Sequence, residues 1–466
     1  MATFLLSSLL SQLSSNQAQD AAATSVPLSV STSDWTWKWV SETEFFALLT
    51  SKSTNPLFPP PKTIPNGLFL LVFSFCLISL YALLISPYPR TRGKQILALP
   101  LLTTMVLLPL FFTTPLQIVH MAMSVTAIAV ATRMFDLYYV QPWTGVRSRY
   151  CLDEVARSKK DLDSNQHSII QQQREFETFL IWDKQRFKVE MWAPLRRFST
   201  KQKSAPASRF LRWQDLLLQS LLYNIVLDID IFIMSHYTSE ELEVMPIPEY
   251  VFCMIAIVTF IMSHILWICA TFALIYSLAT RRPVDLAEWG MLANKLPCFA
   301  LTPAELWIHW QTLFRYLWVD LGFLPVKRFC KQHLGPECVG TVVSKAAQEV
   351  LPVLAVFTLS GILHAYTVYA AWRESVWSQL FYFILQGVAV VATKAVERTW
   401  FGRKIRYIYN NGSSTARWGL HGLGLLMMAV FHTFTLPFFM EPYKRHSMWL
   451  PLNERSVLWW IYGKAA

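Results

Sequence analysis

The feature that most limits how this chain can fold is a series of apolar stretches, each about 20 residues long, the length that a helix needs to cross a bilayer. Backbone polar groups in lipid find no water to bind, so a crossing segment must pair them internally, as a helix does. The predicted spans are 68–86, 95–113, 117–138, 216–236, 250–280, 349–371, 376–396 and 416–440. The pattern predicts an all-α, polytopic membrane protein with about eight transmembrane helices.

The composition agrees with this class, because 53% of the residues are hydrophobic and only 15% are charged, whereas a soluble domain carries about 25% charged residues. The fourth predicted span is the least regular, since it contains Asp228 and Asp230. Two interpretations of these carboxylates stay open: 216–236 is not a true span, or they form a polar lining to a cavity. The fifth span, 250–280, is long enough to tilt or to extend into water.

The basic residues indicate how the chain is oriented. The segment 141–214 holds 15 Lys and Arg against 8 Asp and Glu, and shorter basic segments occur at 90–94, 281–282 and 398–406. With eight spans all four fall on one face, which the positive-inside rule makes the cytosolic one. Loop bias of this kind explains the net charge of +11, so the charge does not indicate nucleic-acid binding.

The chain divides into two regions. Residues 1–65 are predicted to be a disordered, Pro-rich N-terminal tail, and 66–466 to be the membrane-embedded domain, with 141–214 as its basic cytosolic loop. The seven Cys form no C-x-x-C pair, so we expect neither a disulfide framework nor a metal site from them.

An imidazole lies inside the sixth predicted span. Ionisable side chains in a span are costly and therefore point to function. His364 is flanked by the small residues Ser360, Gly361 and Ala365, which leave room for a ligand to approach the ring. A neutral imidazole can take a proton from an alcohol and make it a nucleophile. The alternative is a core histidine that is hydrogen-bonded to a neighbouring helix.

An aromatic-rich segment precedes this span. Between 301 and 329, aromatic and apolar side chains recur at helical spacing with polar ones between them, which predicts an amphipathic helix at the membrane interface. The apolar set is Trp307, Trp310, Phe314, Leu317 and Trp318, and the polar set is His309, Gln311 and Arg315. An ordinary interfacial helix would show the same pattern.

Together the two segments, within 283–372, resemble the wax-synthase-like branch of the membrane-bound O-acyltransferase superfamily. In that branch a motif such as F-W-x-R-x-W-H-Q-x-x-R is followed, one loop later, by a span with S-G-x-x-H and a catalytic histidine. Here Leu306-Trp307 replace Phe-Trp, Trp310-Gln311 replace Trp-His or Trp-Asn, Leu313-Phe314-Arg315 close the motif, and Ser360, Gly361 and His364 match the second pattern. The spacing from Trp307 to Trp310 is shorter than usual and the internal Arg is missing.

The resemblance implies an MBOAT-like fold and an acyl-CoA-dependent O-acyltransferase of the endoplasmic reticulum membrane. Similarity to fungal secondary-metabolite O-acetyltransferases implies acetyl-CoA as co-substrate, no bound cofactor or metal, and a lipophilic terpenoid or polyketide alcohol as acceptor. The catalytic residues implied are His364 with Gln311 or His309 as its polar partner. The substrate-binding residues implied are Trp307, Trp310, Arg315, Ser360 and Gly361.

Three other functions compete with this one. A long-chain wax-ester synthase would share the motif and differ in its donor. A multi-pass transporter belongs to another class and often shows two related halves, yet no internal repeat is visible. A di-iron desaturase needs clustered histidines, and the ten His show no such cluster.

The remaining ionisable groups in predicted spans have structural explanations. Arg133 and Asp136 lie three residues apart on one helix, which predicts an ion pair between them. His264, His421 and His432 are predicted to be packed or interfacial.

Overall fold

The computed structural model describes residues 44–50, 58–85, 92–115, 117–140, 210–238, 241–242, 245–281, 283–286, 300–309, 314–446 and 456–458. Almost all of them are helical. The first helices are α1 (Glu44–Thr50), α2 (Asn66–Ile85), α3 (Arg92–Phe111), α4 (Gln117–Phe135), α5 (Trp213–Met234) and α6 (Ile247–Thr280). The later ones are α7 (Pro303–His309), α8 (Arg315–Trp318), α9 (Leu324–His333), α10 (Pro336–Val339), α11 (Thr341–Trp372), α12 (Trp377–Arg398), α13 (Trp400–Asn411) and α14 (Ser414–Arg445).

The strands in the described part are short. Strand β1 (Lys62–Thr63) pairs in parallel with β2 (Phe112–Thr113), and β3 (Phe210–Leu211) pairs antiparallel with β4 (Val284–Asp285). Two π-helical turns extend helices at Asp136–Val140 and Val319–Phe323.

Seven helices of the described part are long and apolar enough to cross a membrane: α2, α3, α5, α6, α11, α12 and α14. This confirms the prediction of an all-α, polytopic membrane protein. The predicted span 117–138 corresponds to α4, which is not one of the seven. Its ends nevertheless reach both ends of the bundle, because His120 Nε2 bonds the Ala370 carbonyl at 3.2 Å and the Gln95 side chain donates to the Tyr138 carbonyl at 2.9 Å.

The contacts between helix ends identify a basic end of the bundle. Arg398, the last residue of α12, forms an ion pair with Glu349 near the start of α11. The bond between Gln95 and Tyr138 joins the start of α3 to the turn after α4. The start of α3 and the end of α12 carry two of the short basic segments. We use the term basic end for the end of the bundle where α3, α11 and α14 begin and α4 and α12 finish.

The helices form two main cores. Helices α2, α3 and α4 pack around fully buried side chains such as Phe69, Leu80 and Met105. A larger core joins α6, α11, α12 and α14. Helix α11 lies between these two cores. On one side Leu363 packs with Ala129 of α4, and another side of the helix packs against α12.

A short helix is described within the predicted N-terminal tail. The short helix α1 buries Phe46 against Phe438 of α14, with ring centroids 5.2 Å apart. Arg445 Nη1 also donates to the carbonyl of Thr50 at 2.7 Å. Residues 44–50 of the predicted tail 1–65 are therefore helical, and this helix packs on α14.

Contacts accommodate Arg133, Asp136 and Asp228, whereas Asp230 is buried and its Oδ2 has no hydrogen-bond partner among the described residues. Arg133 and Asp136 form the predicted ion pair at 2.8 Å. Asp228 accepts the backbone N–H groups of Val457 and Leu458 at 2.8 and 3.1 Å. Since α5 is one of the seven candidate spans, the carboxylate is accommodated in a membrane helix by capping a returning segment.

Candidate functional site

A cavity of about 1110 Å³ lies among α5, α6, α7, α8, α11, α12 and α14. Its walls are mostly apolar, and Leu, Ile, Val, Met and Phe side chains supply most of the lining. Pockets that are apolar with a few polar groups are the usual form of small-molecule sites. The polar groups here are therefore the candidates for chemistry, and they include His364, Ser360, His432 and Lys394.

His364 projects from α11 into this cavity. Its ring stacks on Phe383 of α12, with centroids 4.6 Å apart and planes 15° from parallel. Phe439 of α14 meets the same ring edge-on at 5.2 Å and 74°. Two neighbouring helices thus fix the orientation of the imidazole through ring contacts.

The ring nitrogens of His364 have no hydrogen-bond partner within the described part of the chain. The alternative prediction, a core histidine bonded to a neighbouring helix, requires a hydrogen-bond partner for a ring nitrogen. His120 is such a case, since its Nε2 bonds the backbone of α11. The nitrogens of His364 are left available to a molecule in the cavity.

Ser360 and Gly361 occupy different environments, although both were predicted to bind substrate. Ser360 lines the cavity one helical turn before His364. Gly361 is buried against α12, where an added Cβ would lie 3.1 Å from the Leu380 side chain and 3.3 Å from Phe383. Gly361 does not line the cavity, and its missing side chain lets α12 come close enough for Phe383 to stack on His364.

Trp307 lines the cavity from α7 and is held from two sides. Its Nε1 donates to Gln386 Oε1 at 3.0 Å, and Gln386 Nε2 donates to Thr435 Oγ1 at 3.2 Å. The indole meets Phe357 edge-on, with centroids 5.1 Å apart. Because Gln386 is fully buried, this chain of bonds ties α7, α12 and α14 together around the cavity.

The rest of the aromatic motif is only partly described. Trp310 and Gln311 lie outside the described residues. His309 ends α7 and Arg315 begins α8, and the side chains of both are outside the described part as well. Phe314 and Trp318 line the cavity, so the segment does approach the site that contains His364.

Sequence reasoning missed several residues of this site. Phe383 and Phe439 carry no local signal, because aromatic side chains are common in spans and only the helix crossings bring these two to His364. His432, predicted to be packed or interfacial, contacts the Phe431 ring and also lines the cavity. His264 does pack, with ring centroids 6.1 Å from Phe260 and 6.0 Å from Trp267.

The arrangement can support proton transfer in a site with little water. An imidazole within reach of a hydroxyl can accept its proton, which is the role of a general base. Apolar walls exclude water and so protect a reactive intermediate from hydrolysis. No protein-family model, curated protein or solved structure matches this chain.

Proposed function

We propose that this protein is a membrane-bound O-acyltransferase that moves an acyl group from acyl-CoA to a hydroxyl of a lipophilic small molecule. The observation that supports it most is the imidazole of His364, which faces a large apolar cavity with no protein hydrogen bond among the described residues. The motif resemblance supports acetyl as the acyl group and a terpenoid or polyketide alcohol as acceptor. It also favours the endoplasmic reticulum membrane.

The reaction needs one base and no covalent enzyme intermediate. A ring nitrogen of His364 accepts the hydroxyl proton as the alcohol oxygen attacks the thioester carbonyl carbon. A C–O bond forms, the tetrahedral intermediate collapses, and the C–S bond breaks. The departing thiolate takes the proton from the imidazolium, which returns His364 to its neutral state and gives the ester and coenzyme A.

The surrounding residues have supporting roles in this proposal. Phe383 and Phe439 orient the imidazole, and Trp307 forms part of the apolar wall. From the motif, Gln311 or His309 would hydrogen-bond the thioester carbonyl, and Arg315 would face a phosphate of the donor. A group that meets charge developing in the transition state lowers the barrier.

The first experiment asks whether the protein transfers acyl groups at all. Membranes containing the wild-type chain are incubated with labelled acetyl-CoA or palmitoyl-CoA and a panel of hydroxylated terpenoids and polyketides, and products are identified by mass. Acetyl esters are expected. Esters formed only from the long-chain donor would support a wax-ester synthase instead. Uptake of a labelled alcohol into sealed vesicles without any ester would support a transporter.

A further inference from the structure

The depth of the cavity can be measured along two of its helices, α11 and α12. On α11 the lining runs from His364 back to Val353, and on α12 it runs from Phe383 to Lys394. Each stretch covers eleven residues of helix, or about 16 Å at 1.5 Å per residue. Phe383 stacks on the His364 ring, so the two residues lie at the same depth in the cavity and both distances are measured from that depth. The cavity therefore extends about 16 Å from the imidazole toward the basic end.

His432 and Lys394 are two of the polar side chains that line this path, together with Ser360 and Thr433. His432 lies seven residues before Phe439 on α14, which places it about 10 Å from the level of His364. Its ring contacts Phe431, with centroids 5.5 Å apart, and it forms no hydrogen bond with any described residue. A polar group in an apolar site is costly unless it is hydrogen-bonded. His432 is therefore placed to bind a hydrogen-bonding group of a ligand at that depth.

Lys394 is the outermost lining residue on α12. Its Nζ lies 2.9 Å from Glu397 Oε2, and its side chain is 46% exposed. Arg406 Nη2 contacts the same carboxylate oxygen at 3.2 Å. Lys394 and Arg406 thus share the single carboxylate of Glu397, so this group of three side chains has a net positive charge at the outermost lining residue of α12. A phosphate is the kind of group that suits it.

The spacing of these groups matches the donor of the proposed reaction. In a pantetheine thioester the outer amide carbonyl carbon is eight bonds from sulfur, and the first phosphorus is thirteen bonds away. An extended chain advances about 1.2 Å per bond, as the peptide backbone does, so these groups lie about 10 Å and about 16 Å from sulfur. With the thioester at His364, the amide reaches the depth of His432 and the phosphate that of Lys394.

We propose that His432 and Lys394 bind the pantetheine arm of the acyl donor. His432 donates a hydrogen bond to the outer amide carbonyl, and Lys394 pairs with the first phosphate. The inference rests on the proposed acyltransferase function. Neither residue belongs to the aromatic motif or to the S-G-x-x-H pattern. They would select a donor by its length and by the positions of its polar groups, independently of the acyl chain.

Donors of graded length test each contact separately. Acetyl-CoA, acetyl-phosphopantetheine, acetyl-pantetheine and S-acetyl-N-acetylcysteamine lose first the nucleotide, then the phosphate, then the outer amide. Lys394→Gln should lower kcat/KM about tenfold for the first two donors and leave the last two unchanged, the loss expected for one bond to a charged group. His432→Phe should lower kcat/KM for the first three donors and spare S-acetyl-N-acetylcysteamine.

Matched controls separate these contacts from general effects. Lys404→Gln removes another cation of the basic end, one that lies over the Trp400 ring and does not line the cavity. His421→Phe changes another imidazole of α14 outside the lining, beside Trp418. Neither control should alter the donor profile. Equal losses of kcat/KM for all four donors, as a structural defect or a lipid-headgroup contact of Lys394 would give, would overturn the proposal.

A binding measurement is independent of turnover. Coenzyme A should raise the melting temperature of the detergent-purified wild-type protein and of His364→Ala alike, and should raise it less for Lys394→Gln and His432→Phe. Binding with this pattern but without transfer from any donor would overturn the proposed function and support the two contacts. Transfer by the wild type with an unchanged donor profile in both variants would overturn the contacts alone. Absence of both stabilisation and transfer would overturn both.

Discussion

Phe383 and Phe439 approach the His364 ring from two helices, so the orientation of the imidazole depends on how closely α12 and α14 pack against α11. Gly361 is the residue that sets the distance to α12, since an added Cβ would lie 3.2 Å from the Leu380 Cα. Backbone atoms at that distance cannot move aside as a flexible side-chain end can. The orientation of the His364 ring thus depends on a residue that has no side chain of its own.

Substitution of Gly361 tests this dependence. Gly361→Ala should force α12 away from α11, lower the free energy of unfolding by about 1 to 3 kcal/mol, as overpacking does, and reduce kcat by displacing Phe383 from the imidazole. Gly422→Ala on α14 is the matched control, because a Cβ there meets nothing within 4 Å. Thermal melting in detergent and ester formation measure the two effects. Equal behaviour of the two variants would contradict the packing role.

At the scale of elements, α1 is the clearest case of a structure held by tertiary contacts. Seven residues are too few for a stable isolated helix. The element is held by Phe46 in the groove beside Phe438 and by the bond from Arg445 to the carbonyl of Thr50. The stability of α1 therefore depends on α14, and we expect the loss of one buried ring to lower the free energy of unfolding of the whole protein.

Adjacent phenylalanines provide the comparison for α1. Phe46 is 2% exposed and Phe45 is 52% exposed. Phe46→Ala should lower the free energy of unfolding by about 3 to 5 kcal/mol, the usual cost of emptying a buried aromatic site. Phe45→Ala should cost less, since much of its surface remains outside the packing. Melting curves of the two variants in the same detergent check the order, and a larger loss for Phe45→Ala would contradict the observed packing.

The whole molecule has a topology that glycosylation can test. Asn411 begins an N-G-S sequon at the end of α13, on the face that the positive-inside rule makes cytosolic, so it should carry no glycan. His236→Asn creates an N-Y-T sequon just after α5, on the opposite face. An endoglycosidase-sensitive mass shift is expected for His236→Asn only. A shift that is lost in Asn411→Gln would show that the number of crossings differs by one.

How much of this molecule could be predicted from sequence depends on the range of the interactions involved. Span positions follow from local hydrophobicity, and helices occur at all eight predicted places. The ion pair of Arg133 with Asp136 is equally local. The place of His364 in its span was predictable for the same reason, whereas its contacts with Phe383 and Phe439 were not. They join residues 19 and 75 positions away, and apolar periodicity contains no information about which helices cross.

The position of α1 and the cavity itself show the same limit. Nothing in 44–50 alone indicates a groove on α14, and no stretch of sequence indicates the space enclosed by seven helices. His432 was predicted to be packed or interfacial because one imidazole in an apolar span usually is. Its place in the lining follows from the rotation of α14 about its axis, a property of the assembled bundle.

The most direct test of the central claim compares two imidazoles inside spans. His364 faces the cavity, whereas His264 packs beside Phe260 and Trp267 outside the lining. His364→Ala should reduce ester formation from acetyl-CoA roughly 100- to 10,000-fold, the contribution of a general base, while membrane insertion and melting temperature stay close to wild type. His264→Ala should retain most of its activity. Near-normal ester formation by His364→Ala would contradict its assignment as the base.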